Sequence, residues 1–304
     1  MLNPEQVELR LHENGARTEA YLREVFSELP ESSREEISPL SDAMLYSLMA
    51  GGKRIRPSLV LEACRAAGGS PEAALPFAAA IEMIHTYSLI HDDLPCMDDD
   101  SMRRGKPSNH MVYGYANALL AGDALLTEAF GVLSRGLVTG VPAEQVVMAT
   151  ALLSRSAGMD GMVGGQVMDL KTDGAEIDFS TLLSIHSRKT CELILSSVEL
   201  GLLAAGRKPE ERIFSAFDEY AHQLGLVFQL VDDVLDATGD PETLGKTVGK
   251  DAKSDKKTYL SFMSIPEAMA LAEGMTEKAV LAVANYDLDG FFTGLADYLL
   301  KRKK

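Results

Sequence analysis

The sequence predicts an all-α protein, and three features support this prediction. Apolar residues recur at helical spacing along most of the 304 residues. The chain lacks a convincing alternation of apolar and polar residues of the kind that marks a half-buried strand. Ser, Asn and Pro precede the apolar runs, as they do where helices begin. Because 46% of the residues are hydrophobic, one large core is possible, and we predict a single domain over residues 1–304.

The individual helices follow from their start and stop signals. Asn3-Pro4 begins the first helix, and Pro71 begins a long apolar helix that Pro95 ends. The predicted helices cover residues 4–28, from Ser41 to near Gly51-Gly52, from around Pro57 to Gly68-Gly69, from Pro71 to the first aspartates, about 108–136, 142–157, 179–205 and 209–237, and two more after residue 262. Segments 158–178 and 238–258, rich in Gly, Asp and Lys, are the best candidates for loops.

Composition excludes several classes of protein. The net charge of −16 argues against nucleic-acid binding. Cys64, Cys96 and Cys191 lack metal-ligand spacing and are typical of free thiols in a reducing compartment. The first residues lack the apolar segment of a signal peptide, and the longest candidate for a membrane span, around Leu193–Gly206, is interrupted by Glu199. We therefore predict a cytoplasmic protein without stable membrane insertion.

The first acidic stretch lies between His85 and Arg104. An apolar helical run is followed by five carboxylates and two basic side chains, namely Asp92, Asp93, Asp98, Asp99, Asp100, Arg103 and Arg104. Carboxylates this close repel one another unless a cation lies among them. Mg²⁺ prefers such oxygen ligands and often binds substrate phosphates, whose remaining oxygens the arginines could bind. The stretch predicts a magnesium–diphosphate site, with a solvated acidic loop as the alternative.

A second acidic stretch lies within the apolar run Phe228–Asp236. Asp232 and Asp236 are four residues apart and share one helix face, and Asp233 lies beside them. An adjacent aspartate pair in an apolar helix is costly unless it faces a cavity that holds a cation. Two such clusters on separate helices indicate the facing walls of one metal-filled cavity.

Basic side chains precede the first acidic stretch. Lys53, Arg54 and Arg56 follow a glycine pair at a helix start, where positive charge opposes the helix dipole. This placement favours an anion site over a plain basic surface. His85 lies two turns before Asp92 on the same face, and it either binds a phosphate or is an ordinary core histidine.

Further polar residues lie near the second acidic stretch. Lys189, on an apolar helix, must reach an anion or extend to solvent, and Gln229 lies one turn before Asp232. The lysines after the second stretch are either solvated or partly engaged with phosphate, and they are Lys246, Lys250, Lys253, Lys256 and Lys257.

Two other metal chemistries compete with this interpretation. Glu82 and His85, and likewise Glu219 and His222, have the spacing of di-iron helical bundles. That hypothesis needs two further glutamates and leaves both aspartate clusters unexplained. The pair His91-Asp92 is also compatible with a metal phosphohydrolase, which would release phosphate without transferring a larger group.

Together these motifs resemble the trans-prenyl diphosphate synthases, most closely the bacterial farnesyl diphosphate synthases. The similarity covers nearly the whole chain, with the motifs GGKRIRP, HTYSLIHDDLPCMDDDSMRRG, LAGDALL, GGQVMDL, SRKT, FQLVDDVLD and DKKTY in this order. The resemblance implies an isoprenoid-synthase-type helical bundle around a deep central cavity, usually as a homodimer. It also implies that isopentenyl diphosphate is condensed with dimethylallyl or geranyl diphosphate, giving farnesyl diphosphate and pyrophosphate.

The resemblance further implies roles for individual residues. Asp92, Asp98, Asp232 and Asp236 would hold three Mg²⁺ ions on the allylic diphosphate, supported by Asp93 and Asp233. Arg103, Lys189 and Lys246 would complete that site, and Lys53, Arg56, His85 and Arg104 would bind isopentenyl diphosphate. Lys189, Thr190 and Gln229 would stabilise the allylic cation. Lys257, or its neighbour Lys256, resembles a late phosphate-binding lysine, and Arg302 a residue of the family's basic tail.

Product length is expected to depend on the depth of the cavity. Tyr87 lies five residues before Asp92, so its ring would form the floor, whereas the neighbouring Ser88 would not. By resemblance, this pair together with Pro95-Cys96 favours a fifteen-carbon product. Cys191 replaces the Gly or Ala that is usual in the family, and a side chain this small should fit. The alternatives are a geranylgeranyl diphosphate synthase of the same family, or a non-catalytic subunit of a heteromeric synthase, which would be expected to lack one of the clusters.

Overall fold

The computed structural model describes residues 1–28, 31–172, 174–238 and 257–302, with the side chains of residues 31–35 excepted. Its helices are α1 (Pro4–Ser27), α2 (Glu31–Leu48), α3 (Ile55–Ala66), α4 (Pro71–Asp92), α5 (Asn109–Tyr113), α6 (Tyr115–Ser134), α7 (Ala143–Ala157), α8 (Met162–Lys171), α9 (Phe179–His186), α10 (Glu192–Ala204), α11 (Arg212–Thr238), α12 (Ile265–Val283) and α13 (Phe291–Lys301). One-turn 3₁₀ segments lie at Arg135–Leu137 and Tyr259–Ser261. The predicted all-α class is confirmed.

α4 is the central helix of the bundle. It packs against α1, α3, α6 and α10, while α11 packs against α10, α12 and α13. Its side chains are apolar on nearly every face, and Phe77, Ile81 and Met83 are fully buried. A helix that is hydrophobic all round belongs inside a core. This position carries the aspartates at its C-terminal end to the opening of the bundle.

Local signals explain where several helices begin. At α1 the Asn3 side chain accepts a hydrogen bond from the Gln6 N–H at 2.9 Å, and the Gln6 side chain accepts one from the Asn3 N–H at 3.0 Å. Ser264 and Glu267 form the same reciprocal cap at α12. Such capping boxes satisfy N–H groups that have no partner inside the helix.

Segment 158–178, predicted as a loop, is the clearest error of the sequence analysis, because α8 occupies its centre. Three smaller differences concern one helix start and two helix interiors. α2 begins at Glu31 and includes Pro39, well before Ser41. The helix predicted over 108–136 is interrupted at Gly114, which has φ of 81°. The helix predicted over 179–205 contains a π-helical turn at Ser187–Cys191.

A small antiparallel hairpin joins the first acidic stretch to α5. Its strands are β1 (Met102–Arg103) and β2 (Lys106–Pro107). Arg104, in the turn, has φ of 52° in the left-handed region. The hairpin thereby separates the directions of two consecutive arginines, Arg103 and Arg104.

Two described segments are long and apolar enough to cross a membrane by length and composition alone, namely α4 and residues Tyr115–Leu137. In α4, 72% of the most apolar window is buried within the protein, whereas in Tyr115–Leu137 the share is 39%. The run around Leu193–Gly206, singled out from the sequence, is not one of the two. The single domain over residues 1–304 stays a prediction.

Candidate active site

The first acidic wall is formed by the C-terminal end of α4 and the loop that follows. The Asp98 N–H donates to the Asp92 carbonyl at 2.9 Å, and the Asp99 N–H donates to the Leu94 carbonyl at 3.2 Å. The loop therefore folds back on the helix end and brings Asp98 close to Asp92. Asp99 adopts the left-handed conformation that this reversal needs, with φ of 48°.

The two aspartates at the end of α4 have different partners. Asp93 is buried, and Arg103 Nε donates to its two oxygens at 3.0 and 3.2 Å. Asp92 accepts a bond from Gln166 Nε2 at 3.0 Å. Burial raises the pKa of Asp92 to about 6; the charge of Lys189 opposes this rise, and that of Asp98 adds to it. A carboxylate that is desolvated and lies beside another carboxylate is stabilised when a cation binds.

The second acidic wall lies on α11. Asp233 is buried and accepts bonds from Gln229 Nε2 at 3.0 Å and from the Tyr259 N–H at 2.9 Å. These bonds engage both carboxylate oxygens of Asp233, and its role in supporting metal ligands stays a prediction. Asp232 accepts from Arg302 Nη2 at 2.8 Å. Asp236 is partly exposed one turn further along.

The π-helical turn Ser187–Cys191 packs against α8 and against α11, the helix of the second wall. The Lys189 ammonium donates to Asp169 Oδ2 at 2.6 Å, and its charge acts on Asp92 of the first wall. Thr190 Oγ1 donates to Gln229 Oε1 at 3.3 Å on the second wall. π-helical turns in α-helices are frequent at functional sites. Of two consecutive side chains, Lys189 thus acts electrostatically on the first wall and Thr190 contacts the helix of the second.

A basic pocket lies next to the first wall. Burial, together with the charges of Arg56 and Arg104, holds the pKa of His85 well below its usual value. Arg56 Nε is buried without a hydrogen-bond partner in the described part of the chain. The Arg104 guanidinium donates to the Gly51 carbonyl and fills the space above Gly52, where a Cβ atom would lie 2.7 Å from its Cζ. Several positive charges gathered in one pocket attract anions.

Arg54 belongs to the core and not to this anion site. Its side chain is 4% exposed and pairs with Glu82, which is 2% exposed, and with Glu19 at 2.6 Å. This pair also contradicts the di-iron hypothesis, which needs Glu82 as a metal ligand. At the other proposed di-iron pair, Glu219 accepts from Gln223 at 2.9 Å. Among the described residues, no group of three or more His, Cys, Asp or Glu side chains is arranged to hold a metal ion.

The remaining predicted residues are placed as follows. Tyr87 is buried, and its ring meets the His91 ring edge-on, with 5.8 Å between the ring centroids. Ser88 donates to the His85 carbonyl of its own helix at 2.9 Å. Lys257 pairs with Glu176 at 2.9 Å. Lys53 is partly exposed beside the glycine pair, and Lys246 and Lys256 lie outside the described residues.

Two residues of the site had no role in the sequence analysis. Gln166 and Asp169, one turn apart on α8, contact Asp92 and Lys189. Their spacing of three residues was a helix signal, but the glycines before them favoured a loop. A predicted helix at this point would have placed both side chains on one face.

An all-helical bundle with two acidic walls and an adjoining basic pocket defines an enzyme class that binds diphosphates. The comparisons with known proteins are more specific: the Polyprenyl synthetase family model matches residues 37–281. The chain belongs to the polyprenyl synthetase family, and the resemblance found in its sequence is confirmed.

Individual relatives agree with this assignment. The chain is 48% identical to farnesyl diphosphate synthase of Bacillus subtilis, over 75% of this chain and 77% of that protein. It is 46% identical to geranylgeranyl diphosphate synthase of Cyanophora paradoxa, over 86% and 87% of the two chains. The crystal structure of a geranyltransferase from Legionella pneumophila, at 32% identity, superimposes with a TM-score of 0.86 and covers 99% of this chain and 98% of that one. The isoprenoid-synthase fold is thus confirmed.

Proposed function

We propose that the protein condenses isopentenyl diphosphate with an allylic diphosphate, dimethylallyl or geranyl, to give farnesyl diphosphate and pyrophosphate. The observation that carries this proposal is the π-helical turn, which places Lys189 beside the first acidic wall and Thr190 against the second. We propose that both walls bind one diphosphate group. The named activities of the two relatives support the same chemistry.

The donor set fits Mg²⁺ as the proposed cofactor. Asp92, Asp98, Asp232 and Asp236 offer oxygens only, and the desolvation of Asp92 favours a cation beside it. Because no preformed three-ligand group exists in the described part of the chain, diphosphate oxygens and water would supply the remaining ligands, for three ions in all. When bound, the ions would neutralise the diphosphate and favour its departure.

The protein side chains would bind and orient the two substrates. Arg103 retains Nη1 for a phosphate oxygen after its bonds to Asp93, and Lys189 and Lys246 would add further donors. Isopentenyl diphosphate would occupy the pocket of Lys53, Arg56, His85 and Arg104, in which Arg56 Nε lacks a partner among the described residues. The double bond would then lie close to the allylic carbon, which lowers the barrier through proximity.

The developing allylic cation would be stabilised by oxygen dipoles. Gln229 is held from both sides, since its amide nitrogen donates to Asp233 and its oxygen accepts from Thr190. This fixed orientation places two oxygens near the π-helical turn without reorganisation during the reaction. The released pyrophosphate would accept the final proton, and the buried walls of the bundle would exclude water.

The decisive experiment incubates the purified chain with Mg²⁺, isopentenyl diphosphate and each allylic primer in turn, followed by chromatography of the products. A fifteen-carbon product supports the proposal. A twenty-carbon product supports the alternative, a geranylgeranyl diphosphate synthase, which the relative from Cyanophora paradoxa favours. Absence of any condensation would indicate a non-catalytic subunit, although both acidic walls are intact.

We also propose a homodimer that lies in the cytoplasm without stable membrane insertion. Several large apolar side chains on α5 to α8 are exposed, namely Met111, Val112, Tyr115, Leu119, Leu120, Val147, Val163, Val167 and Leu170. An apolar surface of this extent needs a partner in water, and a second copy of the chain would cover it. The free cysteines are consistent with a reducing compartment. Sedimentation of Leu120→Asp as a monomer would support this interface, and an unchanged dimer would contradict it.

A further inference from the structure

α8 is held against the π-helical turn at unusually close range. A Cβ atom at Gly165 would lie 2.8 Å from Lys189 Cα and 2.9 Å from the Arg188 carbonyl carbon. Only glycine allows two backbones to approach in this way. The position of α8 relative to Lys189 is therefore fixed by direct backbone packing.

From this position α8 directs two side chains at the active site. Gln166 Nε2 donates to Asp92 Oδ1 at 3.0 Å, and Asp169 Oδ2 accepts from Lys189 Nζ at 2.6 Å. The side chains of Asp169 and Lys189 are 12% and 27% exposed, so their charge-assisted bond is partly shielded from water. One short helix thus contacts both a candidate metal ligand and a candidate phosphate ligand.

The charges at this point compete with one another. Lys189 acts electrostatically on Asp92 while it is bonded to Asp169. A lysine ammonium on a flexible stem pairs with whichever carboxylate is in reach. Without the charge of Asp169, Lys189 would move to Asp92 and occupy the oxygens that a metal ion needs.

We propose that Gln166 and Asp169 are positioning residues of the diphosphate site. Asp169 holds Lys189 away from Asp92, which leaves Asp92 available to a divalent cation, and Gln166 orients the Asp92 carboxylate. The inference rests on the proposed function, because it assigns metal and phosphate roles to Asp92 and Lys189. Neither positioning residue touches the reacting atoms in this arrangement.

The test measures Mn²⁺ binding by electron paramagnetic resonance in the presence of inorganic pyrophosphate, using the full chain. Asp169→Asn, which keeps the shape and removes the charge, is expected to weaken Mn²⁺ binding about tenfold, within the range of couplings between contacting residues. In the Lys189→Gln background the same substitution is expected to change binding by less than about twofold, because the competing ammonium is gone. Gln166→Met should weaken binding in both backgrounds, since its partner is Asp92.

Asp160→Asn serves as the matched control, because it removes an exposed carboxylate from the loop before α8 and should leave binding unchanged. Urea unfolding establishes that each variant is folded. An equal loss from Asp169→Asn in both backgrounds would overturn the proposal, since it would assign Asp169 to the fold. Unchanged binding in Gln166→Met would overturn the role of Gln166.

A kinetic readout separates this inference from the proposed function. If the wild type forms prenyl products, Asp169→Asn should lower kcat and leave KM for isopentenyl diphosphate nearly unchanged, because the pocket around His85 is untouched. If Asp169→Asn weakens Mn²⁺ binding only in the presence of Lys189 but no prenyl product forms, the proposed function is refuted and the positioning role is retained. Prenyl products without a Lys189-dependent effect of Asp169→Asn on Mn²⁺ binding would refute the positioning role and retain the proposed function.

Discussion

Tyr87→Ala should lengthen the product by one isoprene unit. Tyr87 lies five residues before Asp92, which places its Cα about 7.5 Å deeper along α4. The ring is 5% exposed, and burial, with the charge of Asp92, raises the pKa of Tyr87 to about 12. The side chain is therefore buried within reach of the charge of Asp92, and we expect it to border the space into which the growing chain would extend.

The depth gained can be derived from the helix geometry. The next large side chain on this face is Met83, which is fully buried one turn, or about 6 Å, beyond Tyr87. Four carbon–carbon bonds of about 1.5 Å span roughly 5 Å when extended. Removal of the ring thus makes room for one unit, and Met83 becomes the new floor. We expect a twenty-carbon main product, and a longer one in Tyr87→Ala/Met83→Ala.

The assay is chromatography of the products formed from geranyl diphosphate and excess isopentenyl diphosphate. Tyr87→Phe is the matched control, because it keeps the ring and should keep the wild-type product. Loss of a buried ring costs about 3–5 kcal/mol, so urea unfolding must establish that Tyr87→Ala is folded. An unchanged product from the folded Tyr87→Ala variant would refute Tyr87 as the floor.

Three further predictions concern charge. Glu199→Gln should stabilise the protein at pH 8 by at most about 3 kcal/mol and have little effect at pH 4. Burial, together with the charge of Asp218, raises the pKa of Glu199 to about 7; the folded state therefore binds more protons than the unfolded state, and stability falls as pH rises from about 4.5 to 7. Urea unfolding at several pH values checks this, and an equal effect at every pH would contradict it. Arg54→Met should lower the free energy of unfolding by about 3–5 kcal/mol, because it leaves Glu82 buried without its partner. Urea unfolding measures this change, and an unchanged free energy of unfolding would contradict a stabilising role for the pair. Arg302→Gln should lower the half-saturating Mg²⁺ concentration, since it frees Asp232, and a rise in a Mg²⁺ titration would contradict this competition.

The sequence predicted the parts of the fold that depend on local signals. Asn3 and Pro71 begin the helices assigned to them, because caps and proline act within one turn. α8 was missed because its stability comes from contact with another segment, which local propensity cannot report. The π-helical turn lies inside a run predicted as one ordinary helix over 179–205, and its extra residue shows only in the backbone.

The site was predictable where like charges are adjacent in sequence, and less so where charges meet across helices. The aspartates of both walls are conspicuous because they interrupt apolar runs. By contrast, Arg54 looked equivalent to Arg56 until its partner Glu82, on a different helix, was known. The same is true of Asp169, whose significance depends on Lys189 twenty residues away.

The π-helical turn at Ser187–Cys191 also restricts how this chain can change its length. Each residue of a helix advances the next by about 100°. Deletion of one residue here would relax the turn to ordinary α-helix. It would also rotate Lys189 and Thr190 relative to their partners, Asp169 and Gln229. Insertions and deletions that a surface loop tolerates are therefore expected to abolish activity at this point, even where the helical bundle still folds.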